Sequence, residues 1–423
     1  MQSLTPVPNA SVPNTSTPHT SVPHTSLPHT SLPHTSAPHT STPIFSDLVN
    51  DLCEIAFASM LRSDQRRWAE IYIRGLLSVD GRKTMRKIAG HDGGTIEQSL
   101  QQFISKSPWK WVPVRHALAR HLDYLLRPQA WIVEPLVIPK SGAHSVGVER
   151  QFVPRLGKVT NCQQSVGIWL ASERVSCPID WQLALPPQWT SEPEQRDRAA
   201  IPGHVRSLTP TQCAVDAIVN IAEEWGLRRQ PVVMEVHETD LFTVSHELAS
   251  RSIPFILRVS GSTTVRAAGP EPAAGGEHWV SARHLLESLK SQLNSLGWPE
   301  RNRPYSQEPT ALLDTRVCLP LPPGSAEGRS RPFVLLGAWV ERGGEYWISN
   351  IDQLPPAALF RAAGLTQRVA KDLTGVCRPL GIGDFEGRSF RGWHHHVTLV
   401  SVAQAITMIG KMRGQPVRAV PPR

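Results

Sequence analysis

Between Phe45 and Arg127 apolar residues fall at three- and four-residue spacing, beginning with Phe45, Leu48, Val49, Leu52, Ile55 and Ala56. That period places one apolar stripe on a helix, so residues 44–127 are predicted to form an all-helical domain. Ser63, ahead of Asp64 and Gln65, reads as the cap of a second helix through Trp68 to Leu77. Thr95 precedes a third over Ile96 to Ile104, and Trp109, Trp111 and Val114 lead into a last one ending near Leu126. From Trp131 the period changes. Trp131 to Ile138 is a short apolar run of the buried-strand kind, and Ser165 to Ser172 and Cys177 to Leu185 are two more, turning at Glu173-Arg174. Thr209 to Gly226 is an amphipathic helix, with Thr209 as its cap and Gly226 as its stop. A strand at Pro231 to Val236, a helix at Leu241 to Ser250 and a strand at Ile253 to Val259 follow. Residues 261–331 are rich in Gly, Pro and Ser, carry one helix from Ser281 to Leu296, and read as an insertion. Strands return at Phe333 to Glu341 and Tyr346 to Ser349, turning at Gly343-Gly344, and helices at Pro356 to Cys377 and Phe390 to Met412 close the pattern.

Residues 1–43 follow neither period. From Pro18 a five-residue unit repeats as PHTSV, PHTSL, PHTSL and PHTSA, spacing His19, His24, His29, His34 and His39 evenly. Proline at every fifth position blocks helix and sheet ladders, and so few apolar side chains cannot offset the entropy of ordering. A disordered tail is predicted over 1–43, and a second short one over 414–423. Weak metal capture or Ser/Thr modification is the alternative use of the repeat.

The 423 residues carry a formal charge of +8, which favours a polyanionic partner: nucleic acid first, an anionic membrane surface second. No apolar run reaches the roughly 18–20 residues that span a bilayer, and the N-terminus lacks a secretory pattern. The six cysteines are scattered without a CxxC pair, which argues against a zinc framework or a disulfide scaffold and for a reduced, cytoplasmic (bacterial) setting. Neither a Walker A spacing nor a dinucleotide fingerprint occurs. Arg62, Arg66, Arg67, Arg74, Arg82, Lys83, Arg86 and Lys87 give the helical region a basic face, either a phosphate-contacting surface or an ordinary solvated one. The densest run is GIGDFEGRSFRGWHHHVTLVS (381–401), with Arg388 and Arg391 three apart and three consecutive histidines. His394, His395 and His396 would point three ways from a helix, so they do not form one metal site.

That run closely resembles the C-terminal signature of DDE transposases of the insertion-sequence 701 family. Further blocks resemble the same family in the same order: RSDQRRWAEIYIRGLLSVDGRK (62–83), SPWKWVPVRHALA (107–119), LGKVTNCQQSVGIWLAS (156–172), IDWQLALPPQW (179–189) and RQPVVMEV (229–236). The resemblance implies an α/β fold: a ribonuclease-H-like core over 128–413, interrupted by the insertion, behind a helical DNA-binding domain. It further implies three metal-binding acids, which would hold two divalent cations of the Mg²⁺ type. The family's first strand carries Asp-Asp-Thr followed by Gly, an aromatic residue, Pro and Lys; here the stretch reads Glu134-Pro135-Leu136-Val137-Ile138-Pro139-Lys140. The second acid falls on Glu235, and the third, after an Arg-Ile pair in the family, falls on Ala370. Glu for Asp moves a carboxylate by roughly 1 Å, a misplacement that commonly costs about a hundredfold in rate. Ala370 cannot ligate a metal at all, and Asp372, about 200° further round the helix, should point elsewhere. Arg388 and Arg391 read as phosphate contacts or as solvated or ion-paired surface, Lys158 with Asn161 as a DNA approach or a turn with an exposed charge, and the resemblance implies packing plus a DNA-end contact for His394 and His395.

Three readings follow from the sequence: a transposase-derived DNA-binding protein without cleavage, a working transposase with a rearranged acid set, or a fold recruited to a regulatory or small-molecule role in the old cleft. DNA is the expected partner in the first two, a homodimer is compatible with either, and no membrane is involved. No cofactor is expected in the first, and Mg²⁺ only if cleavage survives.

Overall fold

The computed structural model describes residues 43–90, 94–153, 156–268, 278–295, 309, 311–321, 332–340 and 343–414. The histidine-rich repeat and the C-terminal segment after Gly414 lie outside the described residues.

Five helices come first: α1 (Pro43–Phe57), α2 (Ser63–Ser78), α3 (Met85–Ala89), α4 (Gly94–Ser105) and α5 (Trp111–Leu126). In α2 the buried Ala69, Tyr72, Ile73 and Leu76 keep the helical spacing seen in the sequence. The capping expectation fails there: Ser63 is already helical, and the N-cap residue Arg62 makes no side-chain cap bond. The short α3 was not legible from periodicity; Thr84 caps it by accepting the Lys87 backbone N–H.

The sheet begins with β1 (Ala130–Pro139), β2 (Val148–Val153), β3 (Lys158–Ala171) and β4 (Ser176–Ala184). The long β3 runs antiparallel to β1 along one edge, from Ala171 opposite Ala130 to Cys162 opposite Pro139. Its other edge is shared, β2 pairing with residues 158–163 and β4 with 164–171. Gly167 of β3 faces Glu134, and a Cβ there would stand 2.7 Å from Trp181 and 2.8 Å from the Trp169 indole nitrogen, so only glycine fits between those rings.

Two short helices, α6 (Gln188–Ser191) and α7 (Pro193–Arg198), precede α8 (Pro210–Glu224), which carries the expected capping box. Thr209 Oγ1 accepts the Gln212 N–H at 3.2 Å while Gln212 Oε1 accepts the Thr209 N–H at 2.9 Å, and Gly226 stops the segment with φ +63°. Then β5 (Val232–Glu235) lies parallel to β1, and after α9 (Glu238–Ser250), β6 (Phe255–Val259) lies parallel to β5. The stretch read as an insertion carries β7 (Thr264–Ala267), β8 (Val280–Ser281), α10 (Ala282–Ser295) and β9 (Ala311–Cys318). Together with β10 (Phe333–Val340) and β11 (Gly343–Ser349) these strands extend the sheet, whose order is β2-β3-β1-β5-β6-β11-β10-β9-β7-β8. Gly343 and Gly344 begin β11, where a turn was expected.

The architecture is thus mixed α/β about a central sheet. α11 (Pro356–Asp372) packs on β1, and after a π-helical turn (Leu373–Cys377) the chain enters α12 (Phe390–Met412). Helices α1, α2, α4 and α5, and strand β4, all pack against α12. Between Gly392 and Gly410 every residue of α12 is buried, its polar ones included. Thr398, Ser401 and Thr407 satisfy their hydroxyls on carbonyls one turn back, of His394, Val397 and Ala403, at 2.7–2.9 Å.

Candidate active-site cleft

β1 and β5 place Ile132 opposite Val233, and two residues further along each strand stand Glu134 and Glu235. Glu134 is 8% exposed, whereas Glu235, the last residue of β5, faces solvent. From α11, Phe360, Ala363, Gln367 and Ala370 turn to the same space. Together they line a cavity of about 410 Å³, closed on its far side by Pro210, Thr211 and Ala214 at the start of α8. The three positions expected to carry acids therefore come together in one cleft.

What the third position offers is a methyl group. Asp372 does point away, as the helical period required: it is 5% exposed and accepts both the backbone N–H and the hydroxyl of Ser176 at 2.9 Å. Arg368, one turn earlier, approaches it at 3.6 Å. Neither Glu238 nor Asp240 lines the cleft, and Glu238 accepts the Thr264 N–H at 3.2 Å. A fixed cation stands there instead: Arg258 of β6, in register with Glu235, donates from Nη2 to Glu345 at 3.0 Å, and both line the cavity. His237, the N-cap residue of α9, and the edge-on pair Trp347 and Phe360, 5.6 Å apart, complete the wall. A two-cation nuclease centre needs a carboxylate from each of three elements. Among the described residues no group of three His, Cys, Asp or Glu is placed to hold a metal ion. The three expected positions hold two glutamates and an alanine, and the third carboxylate on the wall, Glu345, is engaged by Arg258.

The expected DNA contacts divide into two sets. Arg388 and Arg391 are exposed beside the N-terminus of α12, where Ser389 caps the helix by accepting the Gly392 N–H at 3.1 Å. Lys158 is exposed and Asn161 half-buried on β3, beyond the cleft. His394 and His395 are a correction: they are 2% and 0% exposed, so neither has surface to offer a phosphate. Their partners lie inside, and a neutral His395 can donate to only one of its two carbonyls. His394 stacks on Trp111 at 4.6 Å and faces the Arg115 guanidinium through Nδ1 at 3.1 Å. His395 stacks on Trp109 at 3.7 Å, with its two ring nitrogens each 2.9 Å from a carbonyl, of Ile104 and of Trp109. His396 accepts from the Tyr72 hydroxyl at 2.9 Å and donates to the Gly381 carbonyl at 2.8 Å. Burial holds His394 well below its ordinary range, the nearby Arg115 adding to the effect, and lowers His395 and His396 to about 4.

Two further residues carry weight that motif reading missed. Arg115 of α5 is 1% exposed and reaches five acceptors: Asp180 at 2.8 Å, the Trp181 carbonyl at 2.8 Å, Thr398 at 2.7 Å, and Nδ1 and the carbonyl of His394 at 3.1 and 3.2 Å. It ties α5, β4 and α12 together. Lys140, at the end of β1, donates to the carbonyls of Phe385 and Gly383 at 2.7 and 3.3 Å, and burial first, then Arg82, lowers it to about 8. Much of the basic face is likewise committed: Arg62 pairs with Asp64, Arg74 with Glu70 and Arg82 with Glu386, while Lys83 is buried.

Carboxylates on neighbouring parallel strands beneath a late helix are consistent with a nuclease scaffold. The family comparison agrees: the chain belongs to the DDE superfamily endonucleases, whose family model matches residues 56–283. The match takes in Glu134 and Glu235 and ends before Ala370 and α12. No curated protein matches the chain. A domain of this family implies DNA as substrate or partner. No helix among the described residues is long and apolar enough to cross a membrane.

Proposed function

We propose that this protein is a transposase-derived DNA-binding protein that has lost strand cleavage. The observation that carries the proposal is Ala370, which lines the cleft over Glu134 and Glu235 with no oxygen to offer, while Asp372 is engaged by Ser176. The strand order, with β4, β3 and β1 antiparallel and β5 and β6 parallel beyond them, supports a ribonuclease-H-like core. The signature segment supports descent from the insertion-sequence 701 family. Arg388 and Arg391 bind phosphate beside the N-terminus of α12, whose dipole favours an anion. Lys158 and Asn161 contact DNA further along β3, and the exposed part of the helical region adds sequence-independent attraction.

The test is incubation of the full chain with supercoiled plasmid carrying its own flanking DNA, in Mg²⁺ or Mn²⁺, with gel shift and nicking read together. The expected result is a salt-sensitive shift without nicking. Nicking by the wild type that Glu235→Gln abolishes would overturn the loss of cleavage, and no shift even at low salt would overturn DNA binding.

A further inference from the structure

The ribbon made by β2 and the first residues of β3 stands apart from the cleft. Its register sets Arg150 opposite Asn161 and Phe152 opposite Val159. Residues two apart on a strand, and their cross-strand partners, share a face, so these four form one patch. The patch is open to water: Phe152 is 58% and Val159 53% exposed, Leu156 in the turn is 46% exposed, and Arg150 is exposed too. Glu149 and Lys158 lie on the opposite face, and Arg150 forms no ion pair with a described residue.

A large ring kept in water beside a cation that has no ion pair among the described residues matches a partner with flat apolar faces and an anionic backbone. Nucleic-acid bases have such faces, but a duplex hides them within its stack; an unpaired strand presents them. We infer that this ribbon is a stacking platform for unpaired DNA, with Phe152 against a base, Val159 supporting it, and Arg150 on a flanking phosphate. The inference rests on the DNA-binding reading above and adds the form of DNA held and the residue that holds it. On β3, Val159 lies seven residues from Val166, which lines the cleft. At about 3.3 Å per residue that is roughly 23 Å along the strand, and the odd spacing puts Val166 on the other face of β3.

The experiment titrates the full chain against a duplex with a single-stranded overhang of about ten nucleotides carrying 2-aminopurine, and against the same duplex with blunt ends, by anisotropy and by 2-aminopurine emission. Wild type is expected to prefer the overhang and to quench the probe. Phe152→Ala should weaken overhang binding about tenfold, the loss of one stacked base, abolish quenching and leave blunt-duplex binding within about twofold. Phe152→Trp should keep both properties. Undiminished overhang binding by Phe152→Ala, or equal binding and quenching by Phe152→Leu, overturns the stacking role. Blunt binding without overhang preference sinks this inference alone, whereas no binding to either DNA sinks the parent reading with it. A dimer by light scattering that becomes monomeric in Phe152→Ala also overturns it, because a second copy then covers the patch.

Discussion

Acidification from pH 7 to pH 5 should destabilise the fold through α12. His395 and His396 are 0% and 1% exposed, and burial lowers each to about 4. In an unfolded chain an imidazole titrates near about 6.5. Rings that are neutral when folded and protonated when unfolded leave stability intact above about pH 6.5, and that stability drains away as the pH falls toward 4. At pH 5 the unfolded ring is almost fully protonated and the folded one is mostly neutral, a penalty of about 2 kcal/mol per ring and about 4 kcal/mol for the two. That is a large share of the roughly 5–15 kcal/mol that holds a typical domain together. His394 acts in the same direction, and the half-buried His121, lowered by burial and then by Arg413, adds less. Urea unfolding followed by tryptophan fluorescence at both pH values measures the loss. Equal midpoints would refute the reasoning. They would mean that His395 is charged in the fold, donating from both nitrogens to Ile104 and Trp109 against the Trp109 ring.

Arg115→Met should cost about 3–5 kcal/mol by urea unfolding, because it strands Asp180, 2% exposed, without its cation. A loss below about 1 kcal/mol would show that the network is dispensable. Ala370→Glu should create Mn²⁺ binding detectable by calorimetry where the wild type has none, since it returns a carboxylate to the face of α11 that lines the cleft. Tight Mn²⁺ binding by the wild type would contradict the reading of the cleft.

The sequence was legible where one physical signal dominated. Trp131 to Ile138 announced a strand because nearly the whole run is buried, and Thr209 with Gly226 announced the bounds of α8 through cap chemistry. β2 was not legible: VERQFV mixes charge and amide with few apolar positions, and the strand exists because β3 offers it an edge. The convergence of 134, 235 and 370 came from resemblance, since no local pattern relates residues so far apart in the chain. The histidine triplet misled for a physical reason. Polar residues at the start of a helix suggest a surface, yet here α1, α2, α4 and α5 surround that helix, and aromatic rings and carbonyls replace water.

The enclosure of α12 from Gly392 to Gly410 also constrains how the protein is made. Domains usually fold as units while the chain leaves the ribosome. Here four helices and a strand from the first half of the chain need a surface that is translated near its end. Until α12 emerges, the faces of α1, α2, α4 and α5 that pack on it stay uncovered, although the helices also meet one another. A message interrupted anywhere before codon 390 should therefore yield a product cleared by proteolysis, with no stable helical fragment left behind to compete for DNA.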